Sequence, residues 1–130
     1  KSFRDKYSLQ TGVVLGEGMS GGVVVAVVRE SGAEVAVKRM ALNGSADEEQ
    51  MKAEVQHQLV MDHPNICRLF EVYEEPDQLI LVMEKLSGRD LFEHLQKNQK
   101  GHYTEKDAVD IVRQMMSAVA YCHRSGVCHR

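Results

Sequence analysis

Val14–Lys38 reads VLGEGMSGGVVVAVVRESGAEVAVK, and the meaning of this stretch decides the fold. Gly16, Gly18 and Gly21 stand at GxGxxG spacing, Val23 follows two residues later, and Val35-Ala36-Val37-Lys38 closes the stretch. The glycines lie between two valine-rich segments, which makes them the turn of a hairpin. In a dinucleotide-binding fold the same spacing ends a strand and opens a helix whose N-terminus holds a pyrophosphate. Here Val23–Val28 is an unbroken β-branched and alanine run, a poor helix start and a good strand. A dinucleotide-dependent oxidoreductase fails on that strand, and only NAD binding to the folded domain would revive it.

Three residues without side chains let the backbone approach a ligand closely and aim N–H groups at phosphate oxygens. On the strand that follows, side chains alternate faces, so Val35 and Val37 look one way while Ala36 and Lys38 look the other. Ala36 leaves room for a flat ring, and Lys38 offers phosphate a compact positive charge. A GxGxxG alone is a weak signal, because glycine-rich hairpin turns are common. Joined to Val23 and the Val-Ala-Val-Lys run, it resembles the glycine-rich loop and third-strand lysine of protein kinases.

Bulk properties agree with a modest intracellular domain. The 130 residues carry a net charge of −3 with 27% charged residues, so no basic surplus points to nucleic acid. The longest apolar run, Val23–Val28, is far short of the roughly 20 residues that span a bilayer. No signal peptide is visible, and an opening Lys1 implies that the native start lies ahead of it. Cys67, Cys122 and Cys128 are odd in number and widely placed, which fits a reducing, cytoplasmic compartment better than a disulfide framework. Cys122-His123 and Cys128-His129 do not have a usual zinc spacing, and no metal ligands are assigned.

In chain order, Lys1–Lys6 reads as a polar lead-in and Tyr7–Leu15 as the first strand. The glycine turn, a strand over Gly22–Glu30, a Ser31-Gly32 turn and a strand over Ala33–Met40 follow. Ser45 and Glu48 have capping-box spacing, and a helix is expected over about Ala46–Met61 with Met51, Val55 and Leu59 on its buried stripe. Glu54 lies on the border of that stripe, where a glutamate is ordinarily solvated. Pro64 stops the helix, and Leu69–Tyr73 and Leu79–Met83 read as strands around a turn at Glu74–Gln78. Ser87 with Asp90 suggests a short helix through Leu91, Phe92 and Leu95, then a polar loop over Lys97–His102. Thr104 with Asp107 caps a helix expected over Ala108–His123, whose apolar positions wrap more than one face. Little chain follows to cover that helix, so the 130 residues are expected to be poorly stable alone.

The fold class is therefore α+β. The resemblance implies a kinase small lobe, a five-stranded antiparallel sheet plus one helix, followed by the first helices of the large lobe. The division is 1–86 for the small lobe and hinge and 87–130 for the start of the large lobe. The likeness covers Tyr7–Arg130, with His63-Pro64-Asn65 and His129-Arg130 in family order. MDHPNICRLFEVYEE, LILVMEKLSGRDLFEHL and AVDIVRQMMSAVAYCHRSGVCHR are most similar to the calcium/calmodulin-regulated group and to calcium-dependent protein kinases.

Carried over residue by residue, the resemblance implies that Leu15 helps to bind ATP and that Gly16, Gly18 and Gly21 cover its phosphates. Lys38 binds its phosphates and Glu54 holds Lys38 by an ion pair. Val23, Ala36 and Met83 line the adenine pocket, and Glu84, Lys85 and Leu86 match the hinge whose backbone hydrogen-bonds adenine. Asp90 takes the position, more often glutamate, that contacts the ribose, although a first-turn acid favoured by the helix dipole explains it equally well. His57 and Gln58 depart from the family, standing where apolar residues usually face the back of the pocket. The catalytic aspartate and the magnesium ligands of the family lie beyond Arg130, so these 130 residues by themselves are expected to be inactive. The implied activity is transfer of the γ-phosphoryl of Mg-ATP to serine or threonine of a protein substrate, with a calcium-sensing regulatory domain outside this chain. A pseudokinase or nucleotide-binding scaffold remains the alternative, and the oligomeric state is not encoded in any motif.

Overall fold

A computed structural model describes residues 2–18, 21–98 and 102–129. The tip of the glycine turn at Met19 and Ser20, the middle of the expected polar loop at 99–101, and Arg130 of the His-Arg pair lie outside the described residues.

The elements run α1 (Phe3–Lys6), β1 (Tyr7–Gly18), β2 (Gly21–Val28), β3 (Glu34–Ala41), α2 (Asp47–Leu59), β4 (Leu69–Glu75), β5 (Gln78–Met83), α3 (Leu91–Lys97) and α4 (Glu105–Arg124). They divide into two compact units, Lys1–Asp62 with Cys67–Leu86, and His63–Ile66 with Ser87–Arg130.

The first unit is a five-stranded antiparallel sheet in the order β1-β2-β3-β5-β4, as the strand count from sequence requires. Gly32 turns β2 into β3 at φ +73°, with its N–H on Val28 O at 2.8 Å, a left-handed conformation that glycine adopts without strain. Period-two alternation then sorts the side chains into two cores. One face carries Ala26, Val35, Val37, Ile80 and Val82, closed over by Phe3 and Tyr7. The opposite face carries Leu69, Leu79 and Leu81, covered by Val55 of α2 with Met51 and Leu59 beside it. The α2 stripe read from the sequence is thus the one that packs. In β4 the register slips between Leu69 and Glu71, leaving Phe70 as a bulge residue with its ring half exposed.

Two local expectations change. Lys1–Lys6 is no mere polar lead-in: Ser2 and Asp5 form a capping box for α1, and Phe3 is buried in the sheet core. Ser45 does not cap α2 either. The helix begins after Ala46 with no side-chain cap, and Glu48 instead turns back to accept Gly44 N–H at 3.0 Å. The glutamate thereby satisfies a donor ahead of the helix, and Ser45 N–H goes to Asn43 Oδ1.

In the second unit, Asp90 rather than Ser87 caps α3, accepting Glu93 N–H at 2.7 Å. Thr104 caps α4 as its spacing predicts, accepting Asp107 N–H at 3.2 Å. His63 Nδ1 accepts the Asn65 N–H at 3.0 Å, which leaves Nε2 to donate to Ser117 Oγ of α4, also at 3.0 Å. Asn65 Nδ2 donates to Gln114 Oε1, and the His63 ring packs on Tyr121. Val109, Val112, Met115, Met116 and Val119 remain exposed on α4, the uncovered apolar surface that its sequence pattern implies.

Candidate functional site

Directly paired residues in an antiparallel ladder share a face, so the register alone assembles the site. Gly16 pairs with Val23, Val23 with Lys38, and Lys38 with Leu81, which forms one row across β1, β2, β3 and β5. One pleat along, Val25 pairs with Ala36, Ala36 with Met83, and Met83 with Leu69. The first row combines a residue without a side chain, an apolar wall and a cation. The second is an apolar floor in which Val25 is 1% and Ala36 4% exposed. A flat apolar group on the floor and an anionic group on the neighbouring row would both be satisfied, and a nucleotide has both parts. The donor set therefore fits ATP: an ammonium, backbone N–H groups of a glycine hairpin, and an apolar row beside them.

Sequence reasoning chose Gly16, Val23, Ala36, Lys38 and Met83 in these rows, which also contain the buried core side chains Val25 and Leu81. Counting two residues on from Val23 and two back from Met83 reaches both. Gly18 pairs with Gly21 where β1 passes into β2, and Leu15 is exposed on β1 one residue before Gly16.

Glu84, which the resemblance assigns to the hinge, is tied to the chain leading into β4. Glu84 N–H donates to Arg68 O at 2.8 Å, and Glu84 Oε2 accepts Arg68 N–H at 3.2 Å. The half-buried Cys67 thiol donates to Glu84 O at 3.6 Å. Burial, with the Glu84 charge second, pushes that thiol's pKa up, which keeps it a neutral donor. Lys85 pairs with Glu34 at the start of β3, while Leu86 is exposed.

Glu54 sits on the exposed side of α2. Its neighbour Lys52 joins Glu48 at 3.2 Å and Glu74 of β4 at 2.6 Å. The hydrogen bond to Glu74, then that to Glu48, raises the Lys52 pKa. Asp90 belongs to the second unit and spends one carboxylate oxygen on its helix cap. His129 is exposed near the end of the described chain.

The family model described as the protein kinase domain matches residues 9–130. Calcium-dependent protein kinase 5 of Plasmodium berghei (strain Anka) is 37% identical over 126 residues, covering 97% of this chain and 21% of that protein. Calcium/calmodulin-dependent protein kinase type 1 of Macrobrachium nipponense is 38% identical over 130 residues, covering 97% of this chain and 36% of its own length. Among solved structures, Rad53 1-466 in complex with AMP-PNP superposes with a TM-score of 0.85 at 29% identity, over 100% of this chain and 34% of that one. The chain thus spans about a fifth to about a third of the relatives that it matches.

Proposed function

Since the chain belongs to the protein kinase family, we propose that it is the nucleotide-binding part of a calcium-regulated serine/threonine protein kinase acting on protein substrates. The observation that carries this reading is the pair of rows, Gly16-Val23-Lys38 beside Val25-Ala36-Met83, on one face of the sheet.

ATP, when bound, supplies the γ-phosphoryl group, and phosphoryl transfer asks the protein mainly for positioning and charge stabilisation. Lys38 would hold the phosphates, and the backbone N–H groups at Gly16, Gly18 and Gly21 would close over them. Val23, Val25, Ala36 and Met83 would take the base, and the backbone at Glu84 and Leu86 would fix its edge. Glu54 is assigned to orient Lys38. Magnesium ligands are not assigned to any of the 130 residues, which are proposed to bind nucleotide without transferring phosphate by themselves. Calcium control is supported by the names of the relatives, and three free thiols suit a cytoplasmic setting.

The test is phosphoryl transfer by the whole protein that carries this chain, from labelled ATP to serine, threonine and tyrosine versions of one peptide, with and without calcium. Label on serine or threonine, increased by calcium, is the expected result. Tight ATP binding with no transfer would mean a scaffold, and absence of ATP binding would overturn the site itself.

A further inference from the structure

Phe3–Ser8 lie ahead of the residues that the family model matches, yet they are built into the sheet. Phe3 and Tyr7 are each 4% exposed and stack at 5.2 Å, and the Tyr73 ring meets both edge-on at 5.7 and 6.2 Å. The Glu71 carboxylate collects three donors: Lys6 Nζ at 2.5 Å on Oε1, with Tyr7 OH at 2.6 Å and Tyr73 OH at 2.9 Å on Oε2. Arg29, just past β2, fastens the same segment, its N–H on Lys6 O at 2.9 Å and its Nε on Arg4 O at 3.0 Å.

These contacts join opposite ends of the sheet. Tyr7 belongs to β1 and Glu71 to β4, the two edge strands. In a flat sheet four strand spacings would hold them roughly 19 Å apart, beyond the combined reach of a tyrosine and a glutamate. The sheet is therefore curled at this end, and side chains, not a ladder, close it.

Both ends of this closure lead to the nucleotide rows. The β1–β2 ladder is regular at its root, Tyr7 with Val28, Ser8 with Val27 and Leu9 with Ala26, and again at its tip, Gly16 with Val23, Glu17 with Gly22 and Gly18 with Gly21. Register shifts fall between Leu9 and Val14 and between Val14 and Gly16, so an irregular stretch joins the glycine tip to the root that Tyr7 begins. At the other end Glu71 pairs with Val82, the residue before Met83.

We propose that Phe3, Lys6, Tyr7, Glu71 and Tyr73 form a clasp that fixes the curl of the sheet and thereby holds the glycine hairpin at the right distance from the base-binding floor. Tyr7 and Glu71 are then positioning residues for ATP that touch no part of it. This inference rests on the nucleotide site proposed above.

The experiment compares the whole protein that carries this chain with its Tyr7→Phe, Glu71→Gln and double variants, which keep side-chain size and change only the hydrogen bonds or the charge. Calorimetric ATP affinity is measured well below each unfolding transition, with circular dichroism confirming the folded state. Each single change is expected to weaken ATP roughly five- to tenfold, and the double variant to be no weaker than the worse single, because both act through one contact. A role in stability alone would lower Tm but leave the affinity of the folded protein unchanged, and that result overturns the clasp. If Glu71→Gln does not fold, Tyr7→Phe and Tyr73→Phe decide the matter by the same criterion. Lys38→Ala runs in parallel: if it binds ATP as the unaltered protein does, the site reading has failed; if it loses ATP while the clasp variants retain it, only the clasp has failed.

Discussion

Replacing Lys38 by Met tests whether the two rows divide the work of binding as their register implies. The Lys38 row and the Ala36 row are one pleat apart, about 7 Å along the strand. That separation assigns the ammonium to phosphate and leaves the base to Val25, Ala36 and Met83. A hydrogen bond to a charged group contributes about 1.5–3 kcal/mol. At about 1.4 kcal/mol per tenfold, Lys38→Met should weaken ATP roughly ten- to hundredfold. Adenosine, which carries no phosphate, should keep its affinity. Lys38 is half-buried, so stability should move by no more than about 0.5 kcal/mol. Calorimetric titration of both proteins with ATP, ADP and adenosine, beside a thermal melt, reads all three quantities. Equal loss of adenosine and ATP by a folded variant would refute the division into a phosphate row and a base row. Unchanged ATP affinity would refute Lys38 as the phosphate ligand.

Val55→Ala removes the one fully buried side chain of α2 and should cost about 2 kcal/mol. A scan of Tm should fall by roughly 6–8 °C, and no shift would mean that α2 is not held by this contact. Thr104→Ala deletes the cap of α4 and should cost about 1 kcal/mol, seen as loss of helical circular dichroism on heating, whereas Thr104→Ser should restore it. The clasp predicts a stability plateau with two limits. Burial pushes the Glu71 carboxyl up, but its bonds from Lys6, Tyr7 and Tyr73 together hold it below its ordinary 4.5, so its contribution is present above that value and lost as pH falls through the folded value. Burial, and then the bond to Glu71, raises the Tyr7 phenol and pushes that of Tyr73 from 10.0 up to about 12, so their contribution is complete below pH 10.0 and lost as pH rises toward 12. Melts across that range should show both limbs, and Glu71→Gln should remove the acid limb that this residue causes.

The parts of the fold legible in the sequence are those fixed by local periodicity. Val35-Ala36-Val37-Lys38 alternates, and the sheet places Val35 and Val37 in one core with Ala36 and Lys38 on the other face. The Met51-Val55-Leu59 stripe and the Thr104 cap follow from equally local rules. What stayed hidden depends on partners distant in sequence. Nothing near Phe3 or Tyr7 announces that Glu71 and Tyr73, more than sixty residues on, will receive them, because that meeting needs a curled sheet. Ser45 and Glu48 satisfied a spacing rule, but Gly44 and Lys52 competed for the same carboxylate and prevailed. The site shows the same divide. Its two rows can be counted from the strands, whereas the partner of Lys38 depends on the placement of α2, which the spacing of Glu54 does not encode.

The bulge at Phe70 has a consequence for how the protein keeps to itself. β4 ends the sheet, and an edge strand offers unpaired N–H and C=O groups to any extended chain. By inserting one residue with no counterpart on β5, Phe70 breaks that row after Leu69 and twists the strand, so an incoming strand loses register at that point. Deleting Phe70 would straighten β4 and turn a guarded border into a template for aggregation, at the same place where Glu71 fastens the clasp.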